Sequence, residues 1–173
     1  YVLRDDVKPF IRSYFNTIPS LLGMETLSFQ EHFAGVAAWN KTHETGYFLH
    51  YSRLMLVQER GDELWLMPFV PGEWLADGKK ISVRNAPTTF GPVSYEVTSH
   101  LNDGYVEASV TWPTRKRPES IALRARHPEG KPIRTATEKP EAEKVIIDAP
   151  DNQDGSVIRL KQTGPVTQVR IEF

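Results

Sequence analysis

The sequence predicts an α+β chain, with a short N-terminal helical segment followed by an antiparallel β-sandwich. Three observations carry this expectation. Apolar side chains recur at helical spacing up to about residue 60, and after Gly61 they recur at every second residue. From there on, short apolar runs are separated by turn residues, with no helical stretch between them. Many short strands without intervening helices favour a sandwich over a layered α/β fold. The change of period divides the chain into residues 1–60, helical, and 61–173, β-sandwich.

The first helix is expected in "DDVKPFIRSYFNTIPSLL", where Val7, Phe10, Ile11, Tyr14, Phe15 and Ile18 share one helical face. Asp5 and Asp6 suit its start, Pro9 falls near the first turn, and Pro19 discourages continuation. A second helix is expected in "SFQEHFAGVAAW", opening with a capping-box pattern at Ser28 and Glu31. The third runs from the neighbourhood of Thr42 or Gly46 to about Arg60. Tyr47, Phe48, Leu49, Tyr51, Leu54, Met55, Leu56 and Val57 leave it little room for a solvated face. Such a helix is expected to be buried, and one helix pair cannot bury it. Packing against a segment outside this chain is therefore expected.

Strands are expected at "DELWLMPF" and "KKISVRN", and the clearest hairpin is "PVSYEVTSHLNDGYVEASVTW". There Val93, Tyr95 and Val97 alternate with polar residues, and Asn102-Asp103-Gly104 makes the turn. Val106, Ala108, Val110 and Trp112 form the return face. Five further strands are expected, at "SIALRAR", "KPIRTAT", "KVIIDA", "SVIRLK" and "TQVRIEF". The charged run "EKPEAEK", residues 138–144, is expected to be a solvated loop, and "TRKRP", residues 114–118, a hairpin loop.

With 21 Lys and Arg against 22 Asp and Glu, the chain is nearly neutral, so neither a nucleic-acid nor a membrane partner is expected. No apolar run approaches the roughly 20 residues that span a bilayer. The absence of cysteine excludes disulfides, zinc–thiolate sites and a cysteine nucleophile, and fits either redox compartment. The sequence starts at Tyr1 without an initiator Met or a signal-peptide pattern, so a processed or excised piece is expected.

The densest chemistry lies in "WNKTHET", where Trp39, Asn40, Lys41, Thr42, His43, Glu44 and Thr45 precede the apolar run. Capping explains part of it: Thr42 or Asn40 can cap, and Glu44 complements the positive helix end. A functional reading stands beside that one. A carboxylate, hydrogen-bonding groups and an aromatic platform are what carbohydrate sites combine, and glycosidic cleavage uses two carboxylates. His43-Glu44 also opens the zinc-protease pattern H-E-x-x-H, but Tyr47 stands where the second His is required. No metal site and no cofactor are expected: the five histidines do not cluster, and there is no glycine-rich phosphate loop or G-x-S-x-G elbow. Glu31 and His32 are explained by the capping box and the apolar stripe of the second helix.

The segments "HETGYFLHYSRLMLVQERGDELWLMPFVPGEWLADG" and "ISVRNAPTTFGPVSYEV" resemble the C-terminal end of bacterial six-hairpin glycoside-hydrolase-like proteins. In these a ring of paired helices, the (α/α)6 toroid, carries the active site, and a β-sandwich packs against it. The resemblance implies that residues 1–60 are the last helices of an incomplete ring and that the sandwich braces it. It implies that "WNKTHET" sits at the rim of the cleft, with Glu44 as acid/base or sugar ligand. Trp39, Asn40, Lys41, His43 and Thr45 would then be substrate-binding residues. It also implies an oligo- or polysaccharide substrate, a periplasmic or extracellular location, and an N-terminal helical region outside this chain without which it is inactive. Two alternatives stay open. One is a polysaccharide lyase, using Tyr47, His43 and Lys41. The other is a non-catalytic sugar-binding module with Trp65, Trp74 and Trp112 as platforms, although the strand pattern puts Trp112 in the core.

Overall fold

The computed structural model describes residues 1–31, 41–139 and 155–173 and the backbone of 146–147. The chain forms two compact units, Tyr1–Met55 and Leu56–Phe173.

In the first unit, helix α1 (Val7–Leu21) follows a single 3-10 turn, Val2–Arg4. Asp6 occupies the N-cap position but makes no side-chain cap bond; its carboxylate pairs with Arg4 at 2.9 Å. Pro9 sits in the first turn, where its missing N–H costs nothing. Pro19, expected to end the helix, lies inside it. It falls in the last turn, where only one helical hydrogen bond is forfeited before the chain leaves at Leu22. Next come two short strands, β1 (Leu22–Gly23) and β2 (Ser28–Phe29), paired antiparallel.

The expected capping box is therefore replaced at Ser28 and Phe29 by a strand. The Ser28 hydroxyl is shared with Thr26 at 2.8 Å, and the Leu27 N–H closes the reversal on the Gly23 carbonyl. The rest of the expected second helix, from residue 32 to residue 39, lies outside the described residues. Helix α2 (Thr42–Leu56) follows. Phe10, Tyr14, Phe29 and Phe48 form an aromatic cluster joining α1, β2 and α2, with ring centroids 5.0 Å apart for Tyr14–Phe48 and 4.6 Å for Phe29–Phe48. The Tyr14 hydroxyl adds a hydrogen bond with Ser52, 2.7 Å.

α2 differs from its expectation twice. It ends at Leu56 rather than near Arg60, and Val57–Arg60 is strand β3, paired with β4 (Glu63–Leu66) through a Gly61 turn of positive φ. An apolar run continuous across a helix end hides the boundary, because periodicity alone cannot separate buried helix from buried strand. It is also not buried all round: Tyr47, Leu49 and Tyr51 are 59%, 64% and 42% exposed. Among the described residues, α1 and the β1–β2 hairpin leave these side chains uncovered.

The second unit is the β-sandwich. After β3 and β4 come β5 (Lys80–Ala86), β6 (Val93–His100), β7 (Tyr105–Thr111) and β8 (Ser120–Arg124). The chain continues with β9 (Thr135–Lys139), β10 (Ile146–Ile147), β11 (Val157–Leu160) and β12 (Val166–Glu172). They form two five-stranded sheets, ordered β10-β11-β8-β4-β3 and β5-β6-β7-β12-β9. Among the described residues the pairings are antiparallel except β4 with β8, which is parallel. That exception was not expected, and it arises because the connection between β4 and β8 contributes three strands to the other sheet.

The expected hairpin is observed with Tyr95 opposite Val110 and Val97 opposite Ala108, all buried. Gly104 takes the left-handed turn position, φ 82°. Leu64, Leu66, Ile121, Leu123, Ile158 and Leu160 share one face of the first sheet by strand alternation, and each is at most 1% exposed. Of the run 138–144, Glu138 and Lys139 belong to β9 and the remainder lies outside the described residues.

Candidate functional site

The first turn of α2 begins at Thr42, so Glu44 is the third helical residue, within reach of the positive helix end. Consecutive residues on a helix do not normally face one another. Here His43 and Glu44 nevertheless meet, with His43 Nε2 2.6 Å from Glu44 Oε1. The pair is asymmetric: the His43 side chain is 58% exposed and that of Glu44 15%. Glu44 Oε2 is buried and has no hydrogen-bond partner among the described residues. The His43 ring also meets the edge of Tyr47, 6.2 Å between centroids, and Tyr47 stacks on Tyr51 at 6.2 Å.

Lys41 stands one residue before the helix. Its N–H donates to the Phe29 carbonyl, and its own carbonyl accepts the Thr45 N–H and hydroxyl, the latter at 3.2 Å. Its ammonium pairs with Glu31 at 2.7 Å. That hydrogen bond, aided by the Glu31 charge, raises the Lys41 pKa above its ordinary value, so it is a firm cation. The structure thus brings Glu31, Lys41, His43, Glu44 and Thr45 to the entrance of one helix. Trp39 and Asn40, expected as a stacking platform and a ligand, lie outside the described residues, as does His32.

Glu31 is the addition that sequence reasoning missed, because it assigned this carboxylate to a cap. No spacing rule links residues 31 and 41; the pairing accompanies the bond from the Lys41 N–H to the Phe29 carbonyl, two residues before Glu31. Chemically, the arrangement offers one carboxylate neutralised by lysine and a second, half-satisfied one bonded to an exposed imidazole.

The other aromatic candidates are distributed otherwise. Trp65 is 5% exposed, with the Arg60 guanidinium 4.0 Å from its ring centroid, and Trp112 is 2% exposed. Neither can serve as a platform, whereas Trp74 is 40% exposed. In the basic loop, Lys116 is paired with Asp62 at 2.9 Å and Arg117 donates to the Gln162 carbonyl. Among the described residues no group of three or more His, Asp or Glu could hold a metal ion. No helix among them is long and apolar enough to cross a membrane.

No protein-family model matches the chain, and no curated protein does. Among solved structures, a GH31 dextranase of Flavobacterium johnsoniae complexed with glucose is similar over 64% of this chain and 16% of its own, at 10% identity and a TM-score of 0.41. A mutant of that dextranase complexed with isomaltotriose matches over the same shares at 10% identity, TM-score 0.40. A GH127 β-L-arabinofuranosidase from Geobacillus stearothermophilus T6 is similar over 75% of this chain and 18% of its own, at 19% identity and a TM-score of 0.34. These partial neighbours are glycoside hydrolases, and this chain spans less than a fifth of the length of each.

Proposed function

We propose that the chain is the C-terminal part of a carbohydrate-active enzyme, a glycoside hydrolase. In this reading α1 and α2 are the last helices of an (α/α)6-type barrel, and the sandwich is the brace that follows it. The first turn of α2 contributes to the cleft, with Glu44 as the proton-transferring carboxylate and His43 holding it in position. Lys41 and Thr45 are substrate ligands, together with Trp39 and Asn40. The observation that carries this is the Glu44 carboxylate itself, bonded on one oxygen to an exposed His43 and left without a described partner on the other. A carboxylate partly withdrawn from water and linked to an imidazole is suited to moving protons.

The exposed sides of α2 support the missing part of the barrel, since Tyr47, Leu49 and Tyr51 need a covering surface. The test is Glu44→Gln in the full-length parent, assayed on a panel of aryl glycosides and oligosaccharides. Turnover is expected to fall about 10²–10⁴-fold. Unchanged turnover would reduce Glu44 to a helix-end acid.

A further inference from the structure

A second polar constellation covers the outward face of the sheet β5-β6-β7-β12-β9. Strand register places Glu96 beside Ser109, Ser109 beside Gln168, and Gln168 beside Lys139, with Thr98 beside Glu107 in the next row. These six residues line an open depression of about 160 Å³. Two ion pairs lie across it, Lys139–Glu107 and Lys80–Glu96, each 2.6 Å, and Arg170–Glu172 lies to one side at 3.3 Å. The Lys139 hydrogen bond holds the Glu107 carboxyl below its ordinary pKa, so it stays an acceptor. Two residues along β7 from Glu107, Tyr105 lies under the Arg170 guanidinium, 3.6 Å from its ring centroid, and His100 stacks on Tyr105 at 4.9 Å.

Folding does not require this arrangement, because exposed ion pairs on a solvated sheet face contribute about 0–1 kcal/mol each. Its charge decides what it fits. Each of these three cations is paired with a carboxylate, so donors and acceptors alternate over the face. A polyanion meets Glu96, Glu107 and Glu172, and a protein partner finds no apolar anchor pocket of the kind interfaces use. Neighbouring sugar hydroxyls, each donor and acceptor at once, match alternating carboxylate, ammonium, hydroxyl and amide groups. We propose that this face binds a neutral oligo- or polysaccharide chain at a site separate from the Glu44 chemistry.

The test is affinity electrophoresis of the 173-residue chain in gels containing dextran, arabinan, galactomannan or, as the acidic comparison, polygalacturonate. At least one neutral polysaccharide is expected to retard the chain, and polygalacturonate is not. Gln168→Ala and Glu107→Ala should each weaken the retardation about tenfold in apparent Kd, with circular dichroism and Tm confirming that each variant is folded. Trp74→Ala should leave it unchanged. The proposal is overturned if no neutral polysaccharide retards the chain, if the folded face variants bind as the parent does, or if Trp74→Ala abolishes binding. Failure of the hydrolase reading looks different: turnover survives Glu44→Gln while the face still binds.

Discussion

The buried hydrogen bond between Trp112 and Thr167 permits a sharp test of what holds the sandwich together. The indole Nε1–H donates to Thr167 Oγ1 at 2.8 Å, and the two residues are 2% and 1% exposed. Thr167→Val exchanges the hydroxyl for a methyl group of nearly the same shape, in a strand where valine is at least as favourable as threonine. Counting apolar area alone, the variant should be more stable. The structure predicts the opposite, because water cannot reach the orphaned indole N–H. Leaving such a donor unpaired costs about 2 kcal/mol, and for a chain of this length that lowers Tm by about 6 °C. Thr167→Ser keeps the hydroxyl and loses one methyl, at a cost of about 1 kcal/mol. Thermal and urea unfolding of both variants, with Trp112→Phe and the double variant Trp112→Phe/Thr167→Val, closes a double-mutant cycle. With the indole gone, adding Thr167→Val should cost nothing further. A Thr167→Val protein melting at or above the parent would refute the reasoning.

Two further predictions concern ionisation and backbone. Burial pushes the Glu63 carboxyl up, but hydrogen bonds from Arg159, Ser120 and Trp65, with the Arg159 charge, outweigh it and hold it below its ordinary value of 4.5. The folded state therefore binds fewer protons than the unfolded one. This contribution is fully present above about pH 4.5 and is lost as pH falls through the lower, folded value. Urea titrations from pH 7 to pH 3 should show it, and Glu63→Gln should flatten that limb. Gly91 has φ 112°, and a Cβ there would sit 3.1 Å from the Arg115 nitrogen, so Gly91→Ala should cost about 1–2 kcal/mol. Gly46, inside α2 with open space around it, should respond in the opposite direction, Gly46→Ala gaining up to about 1 kcal/mol in a melting assay.

The β half of the chain was legible because its signals are local. The alternation of Val93, Tyr95 and Val97 with the turn at Gly104 needs no knowledge of the rest of the molecule, and the register follows from it. The helical half misled where a distant contact decides. Ser28 and Glu31 satisfy a capping pattern, yet a reversal closing on Gly23 turns Ser28 into a strand residue. Val57–Arg60 continues an apolar helix until β4 offers it a partner. The parallel pairing of β4 with β8 joins segments that no periodicity connects. At the candidate site the same division holds. The adjacency of His43 and Glu44 can be read from the sequence, whereas the Lys41–Glu31 pair depends on how the chain returns.

Capping accounts for the sign of the charge at Glu44 but not for its surroundings. An acid placed only to complement the helix end gains about 0.3–1 kcal/mol, and it does so while exposed to water. Glu44 is instead mostly buried, with one oxygen lacking a described partner, and an unsatisfied buried group costs about 1–3 kcal/mol or more when charged. Against that cost stand the helix end and the 2.6 Å contact of the other oxygen with His43. The Glu44→Gln variant accordingly has a second readout besides turnover. It keeps the shape and replaces the carboxylate, one oxygen of which has no described partner, by an amide, so it should melt at or above the parent temperature. A clear loss of stability, with turnover intact, would show that the carboxylate serves the helix and nothing else.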